Sequence, residues 1–184
     1  MGSTESHPTW IWCRVGRAGS LVSHRMSEEP FWEPGRKKPA RGVHIRLGGP
    51  NIVWNTLCTA DRSLWLANEF VHERLQQVWL AATKWLVSDY IIMPDHIHFF
   101  AAPHDIEYPF DNWVTYWERQ FRKLHTHEDW RWQPHPFHHR LRNGESYSQK
   151  WQYLRENPVR KGLVKHPEEW PFQGRIHDVR WSGE

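Results

Sequence analysis

The sequence contains little sulfur. Cys13 and Cys58 are the two cysteines in 184 residues. That excludes a disulfide framework and every zinc pattern built from cysteine pairs, and it favours a reducing compartment. Long apolar runs are missing as well. No stretch approaches the ~20 residues that a membrane helix needs, so no membrane span is expected. Arg14, Arg17 and Arg25 are not followed by a continuous apolar segment, and no secretory signal is read there. The expectation is a soluble cytoplasmic protein. Strong charge of one sign is also absent, since the formal net charge is +3.

That small charge is unevenly placed. Residues 112–165 hold eleven Lys/Arg against five Asp/Glu, with several histidines besides. Such a stretch suits a polyanion, although a solvated surface without a partner gives the same count. Tryptophan is plentiful, at 14 residues. Core packing accounts for most indoles, but an exposed one offers a π-face to any base. Trp130, Trp132 and Trp151 lie in the basic half and are the candidates for stacking.

The length fits one domain plus tails and suffices for a real core. Residues 1–40, punctuated by Ser, Gly and Pro, show no lasting periodicity and read as a loosely ordered extension. Met1 and Met26 are both open as the start. The domain proper is expected over residues 41–175, with a short tail at 176–184. After the turn signal Gly48-Gly49-Pro50, residues 51–58 read as a strand. Ser63 is placed to cap a helix running to about Trp85, because Val71, Leu75, Val78, Ala82 and Trp85 form one helical stripe. Residues 86–93 and 96–102 read as a hairpin turning at Pro94-Asp95. A second helix is expected over 111–127, a short strand over 137–141, and a third helix over 145–157, stopped by Pro158. The order βαββαβ plus a helix predicts an α+β fold of the ferredoxin-like or RRM-like kind, an antiparallel sheet with helices on one face. That last helix, over 145–157, is the C-terminal helix that carries Tyr153.

Two short stretches carry the chemistry. In Met93-Pro94-Asp95-His96-Ile97-His98, the alternation of a strand sends His96 and His98 to one face and Ile97 to the other. Two imidazoles so placed can share a divalent metal. His125-Thr126-His127 is a second such pair, but its middle residue is polar and a fraying helix end separates i from i+2. In Trp151-Gln152-Tyr153-Leu154-Arg155-Glu156-Asn157-Pro158, Tyr153 and Asn157 are four apart and share a helical face. A tyrosine hydroxyl titrates near ~10 and needs help to attack at neutral pH. A metal on the scissile phosphate would give it, with Asn157 Oδ1 as third ligand.

These residues carry a family resemblance. His96-Ile97-His98 fits the HUH pattern, and the run from Met93 resembles that of single-tyrosine HUH transposases. Trp132-Gln133-Pro134, the stretch 139–142, Tyr153 through Asn157-Pro158-Val159-Arg160-Lys161-Gly162-Leu163-Val164, and Trp170-Pro171-Phe172 resemble the REP-associated tyrosine transposases, over residues 48–172. The resemblance implies the same sandwich fold. Tyr153 would be the nucleophile, His96, His98 and Asn157 would be ligands to Mg²⁺ or Mn²⁺, and the substrate would be single-stranded DNA bearing a hairpin or palindrome. Arg119, Arg122, Lys123, Arg140, Arg142, Arg160 and Lys161 are the basic residues expected to contact that DNA. His138 departs from the pattern, since relatives often carry an acidic residue there, and the long N-terminal extension is a second departure. Two rivals stand beside this reading: a hairpin nucleic-acid-binding module without turnover, and a zinc protein using His96, His98 and other histidines structurally. Monomer and homodimer are both open, as are the palindrome recognised and the cleavage sequence.

Overall fold

The computed structural model describes residues 51–134, 136–141 and 147–179, all within one compact unit. The expected extension over residues 1–40, the turn signal Gly48-Gly49-Pro50, Arg142, the first residues of the expected third helix and residues 180–184 of the tail lie outside the described residues. Five strands make one sheet in the order β4-β1-β3-β2-β5, with β1 Val53–Cys58, β2 Trp85–Met93, β3 His96–Pro103, β4 Phe137–Arg140 and β5 Gln173–Arg175. Every neighbouring pair is antiparallel. The helices are α1 Glu69–Ala81, α2 Phe110–Arg122, α3 Tyr147–Arg155 and the short α4 Asn157–Arg160. The ferredoxin-like order is therefore present, and β5 is an added edge strand that sequence pattern did not reveal. Among the described residues, no helix is long and apolar enough to cross a membrane.

One sheet face packs on α1 and α2. Ile97, Phe99 and Ala101 of β3 meet Val71, Leu75, Val78 and Trp79 of α1 and Trp113, Val114, Trp117 and Phe121 of α2. The indoles interlock edge to face: Trp79 on Trp117 with centroids 5.8 Å apart, Phe99 on Trp117 at 6.3 Å and Phe99 on Trp113 at 6.1 Å. Such offset geometries are the favourable ones for aromatic pairs. The tryptophan surplus is mostly core. Trp130 and Trp132 also join it, stacking or abutting Trp65 at 5.0 Å each, and Trp151 meets Phe100 at 6.5 Å.

Tertiary contacts moved several helix ends. α1 starts at Glu69, and its cap is not Ser63, because Ser63 closes a 3-10 turn over Ala60–Arg62 and donates to the Ala60 carbonyl. Asn68 is the true N-cap, its side chain accepting from Val71 N at 3.0 Å. α1 stops at Ala81 rather than Trp85, since the Trp113 indole takes the Ala82 carbonyl at 2.7 Å and β2 then begins. α2 likewise ends at Arg122, short of His127. Replacing Asn68 by Ala should cost about 1 kcal/mol in a urea melt, whereas Ser63→Ala should cost distinctly less than Asn68→Ala.

The second sheet face is covered by α3. Phe100 packs on Tyr147 with centroids 4.4 Å apart, and Leu154 is buried. Tyr147 Oη donates to Asp89 Oδ2 at 2.6 Å, and Arg175 of β5 grips the same carboxylate through Nε at 2.9 Å and a terminal nitrogen at 2.8 Å. Asp89 thus ties α3 to β2 and β5 at once. The C-terminal segment is held in the same way, since the Trp170 indole donates to Ile92 O at 2.9 Å and Ile92 N donates to Phe172 O at 2.8 Å.

Candidate active site

The register of β1 and β3 builds the site. His96, His98 and Phe100 stand opposite Cys58, Thr56 and Trp54, so all six share the face that α3 covers. Both histidines are consequently buried, although a bare sheet face would have left them exposed. Their rings lie 4.7 Å apart between centroids, nearly perpendicular. His98 Nδ1 meets Thr56 Oγ1 at 2.8 Å. Its pKa is held well below the usual imidazole range, first by burial and then by the proximity of His96, Arg62 and Arg160. His98 is therefore neutral, which a ligating imidazole must be. His96 Nδ1 meets Asp95 Oδ1 at 2.6 Å.

Asp95 is shared. Its Oδ2 lies 2.6 Å from the Arg62 guanidinium. Burial acts to raise its pKa, but the hydrogen bond and charge of His96 and the charge of Arg62 outweigh it, so the carboxyl sits below its usual range. Arg62 also points a nitrogen at Cys58 Sγ, 2.8 Å away. Asp61 and Arg62 both have left-handed backbones, at φ 53 and 58. For a non-glycine residue that conformation costs roughly 1–2 kcal/mol.

With both Nδ1 atoms engaged by strand neighbours, the Nε2 atoms are the nitrogens left for an ion, the usual division of labour in histidine sites. Among the described residues, no group of three His, Cys, Asp or Glu side chains gathers to hold a metal. His96 and His98 are the residues that would hold a divalent ion on this face.

Tyr153 lies on α3 and is 38% exposed. Its ring carries the Arg160 guanidinium 4.1 Å from the centroid, a cation–π contact. The same guanidinium donates to Tyr153 O at 2.8 Å and to Asn157 Oδ1 at 2.9 Å. The expectation of one helix closed by Pro158 needs correction. α3 ends at Arg155, and Asn157 and Pro158 open α4, because proline is welcome in a first turn, where its missing N–H is not needed. The backbone at Glu156 stays right-handed, at φ −74 and ψ −9. Tyr153 and Asn157 therefore remain neighbours despite the break, bridged by Arg160. Asn157 Oδ1 keeps one lone pair beyond the Arg160 bond.

The other sequence candidates fall elsewhere. Arg119, Arg122 and Lys123 are exposed on α2 or just past its end, on the opposite side of the sheet from His96 and His98. Arg140 pairs in register with Val53 and so points toward the α1/α2 side. Arg160 of the basic set lies against the tyrosine, over its ring, and Lys161 follows it at the end of α4. His138 pairs with Asn55 and packs on Phe110, with centroids 5.7 Å apart, so it too faces away from the histidine pair. Its neighbour His139 is the one opposite Trp54. His125 and His127 pack around Trp130, at 5.1 and 4.0 Å. Sequence reasoning missed Lys150, 5.6 Å over the Trp54 ring, and Arg62. Asp95 was readable, standing beside His96; nothing in the residue spacing announces a left-handed arginine.

No family model matches the chain. It is 28% identical over 108 residues to the REP-associated tyrosine transposase of Escherichia coli strain K12, across 53% of this chain and 63% of that protein. The chain is similar to a REP-associated tyrosine transposase. The match thus spans less than two thirds of that transposase. Among solved structures, it is similar to that of a REP-associated tyrosine transposase bound to a REP hairpin, with a TM-score of 0.62 and 20% identity over 78% of this chain and 95% of the other. That likeness establishes the shared fold. The motifs quoted for the transposase resemblance divide on inspection. Trp132-Gln133 pairs with the end of β1, through the Thr59–Trp132 bridge and Gln133 N to Cys58 O at 2.8 Å. Trp170-Pro171-Phe172 clamps β2. Both are structural, whereas the histidine and tyrosine stretches reach the candidate site.

Proposed function

We propose that the chain cleaves and rejoins single-stranded DNA bearing a hairpin of the repetitive-palindrome type, through a covalent 5′-phosphotyrosine on Tyr153. The observation that carries this is the helix of Tyr153 lying across the very sheet face that presents His96 and His98. The likeness to a transposase bound to a REP hairpin supports the choice of DNA.

In this reading Tyr153 Oη attacks the scissile phosphorus. The P–O3′ bond breaks, leaving a phosphotyrosine and a free 3′-hydroxyl, and the phenolic proton passes to solvent or to the departing oxygen. A 3′-hydroxyl later reverses the attack, so the covalent bond conserves the energy of the phosphodiester between two steps. Arg160 fixes the ring of Tyr153 from above and brings a positive charge to the approaching phosphate. His96 and His98 present their Nε2 atoms. When held there, Mg²⁺ or Mn²⁺ supplies Lewis-acid polarisation of the phosphoryl oxygens. Incubating the protein with a panel of hairpins from its own genome, then resolving the mixture on a denaturing gel, should yield a covalent protein–DNA band. Tight hairpin binding with no adduct under Mn²⁺ would favour a binding module instead.

Asn157 provides a graded test. Asn157→Ala should slow cleavage less than loss of either histidine, because water replaces an amide oxygen more easily than an imidazole. As a third ligand, its loss should shift the rate-against-Mn²⁺ curve to the right, with partial rescue by excess metal. An unshifted curve at wild-type rate would leave Asn157 with only its Arg160 bond.

A further inference from the structure

The loop after β1 reaches the site by a path that the transposase reading does not use. Thr59 N and Thr59 Oγ1 both donate to Asp95 O at 3.0 Å, and Leu66 N donates to Pro94 O at 3.1 Å. The turn between β2 and β3 is thus clamped against the exit of β1. Within that clamp the Asp95 carboxylate has each oxygen engaged, one by His96 Nδ1 at 2.6 Å and one by Arg62 at 2.6 Å. Arg62 is only 17% exposed and Asp95 20%, so solvent competes weakly for either group.

A carboxylate can only accept a hydrogen bond. Its partner nitrogen on His96 must then carry the proton. Thr56 imposes no such choice on His98, since a hydroxyl both donates and accepts.

We infer that Arg62 and Asp95 are positioning residues, a relay in which Arg62 locks the Asp95 carboxylate and Asp95 holds His96 with Nδ1 protonated and Nε2 facing the site. The left-handed backbone at Asp61 and Arg62 is what returns the arginine over Cys58 to reach it. The use of the relay rests on the proposed role of His96 as a metal ligand; its geometry does not. Partners of this kind typically govern metal affinity by 10–100-fold.

The test uses the full-length, metal-free protein labelled with ¹⁵N. Long-range ¹H–¹⁵N spectra should show His96 as the Nδ1–H tautomer in the wild type and as a mixture in Asp95→Ala. Mn²⁺ titration followed by electron paramagnetic resonance should show affinity reduced roughly 10–100-fold in Asp95→Ala, and reduced less in Arg62→Gln and in Asp95→Asn, which keeps an acceptor. The amide spectrum of each variant reports folding, and if Asp95→Ala does not fold, Arg62→Gln and Asp95→Asn decide. A wild-type His96 protonated on Nε2, or unchanged Mn²⁺ affinity in the folded variants, would overturn the relay. A fixed Nδ1–H tautomer in a wild type that binds no Mn²⁺ would confirm the relay and overturn the ligand role of His96.

Discussion

Tyr153→Phe should yield no covalent DNA adduct while binding the hairpin nearly as well as the wild type. The substitution removes one oxygen and leaves the ring that Arg160 covers at 4.1 Å. The two backbone and side-chain acceptors of Arg160, Tyr153 O and Asn157 Oδ1, are untouched, so α3 and α4 should keep their arrangement. Tyr153 is 38% exposed, so the loss of one oxygen should cost the fold little. The nucleophile itself is gone, and no weaker version of it remains, so adduct formation should fall below detection rather than decline in proportion. The measurement is adduct yield on a denaturing gel beside hairpin affinity by fluorescence anisotropy. Tyr147 supplies a control by contrast. Its hydroxyl is buried against Asp89 and its pKa is raised, by burial first and by the bond to Asp89. Tyr147→Phe should lower thermal stability and leave adduct chemistry in whatever protein folds. Adducts at wild-type yield in Tyr153→Phe would remove Tyr153 from the mechanism.

The parts of the fold that could be read in advance are those fixed by period. The alternation of β3 put His96 and His98 on one side and Ile97 and Phe99 on the other, and the register with β1 agrees. The stripe Val71, Leu75, Val78 is buried as its spacing required. Helix ends were less legible because distant partners set them: the Trp113 indole at Ala82 O ends α1, and no local signal at Ala82 says so. β5 escaped notice since three residues of Gln173–Arg175 carry no alternation, and their place comes from Asp89 and Ile91 across the sheet. The site was half legible. Residue types and spacing nominated the histidines, Tyr153 and Asn157. Topology alone determined that α3 would cover the histidine face, that Arg119, Arg122 and Lys123 would fall on the far side, and that a left-handed turn would bring Arg62 to Asp95.

His98→Ala should reduce metal-dependent cleavage by about 100-fold or more, the scale on which lost charge stabilisation of a phosphoryl transition state is felt. His96→Ala should behave alike, and His125→Ala should cleave at nearly the wild-type rate. The contrast follows from placement. His96 and His98 sit on the face beneath α3 with rings 4.7 Å apart, whereas His125 packs against Phe121 and Trp130 at 5.0 and 5.1 Å. Among the described residues neither buried ring nitrogen of His125 has a close hydrogen-bond partner, so its removal forfeits mainly packing. Stability must be separated from chemistry at His98, whose loss leaves Thr56 Oγ1 without its bond. His98→Asn can return a polar partner to Thr56 but is too short to place a donor where Nε2 stood. It should therefore recover thermal stability relative to His98→Ala without recovering cleavage. The decisive readout is single-turnover rate against Mn²⁺ concentration, taken well below each variant's melting temperature. Equal loss of rate in His125→Ala and His98→Ala would show that the ligand pair has been misassigned. Recovery of full rate in His98→Asn would reduce His98 to a structural partner of Thr56.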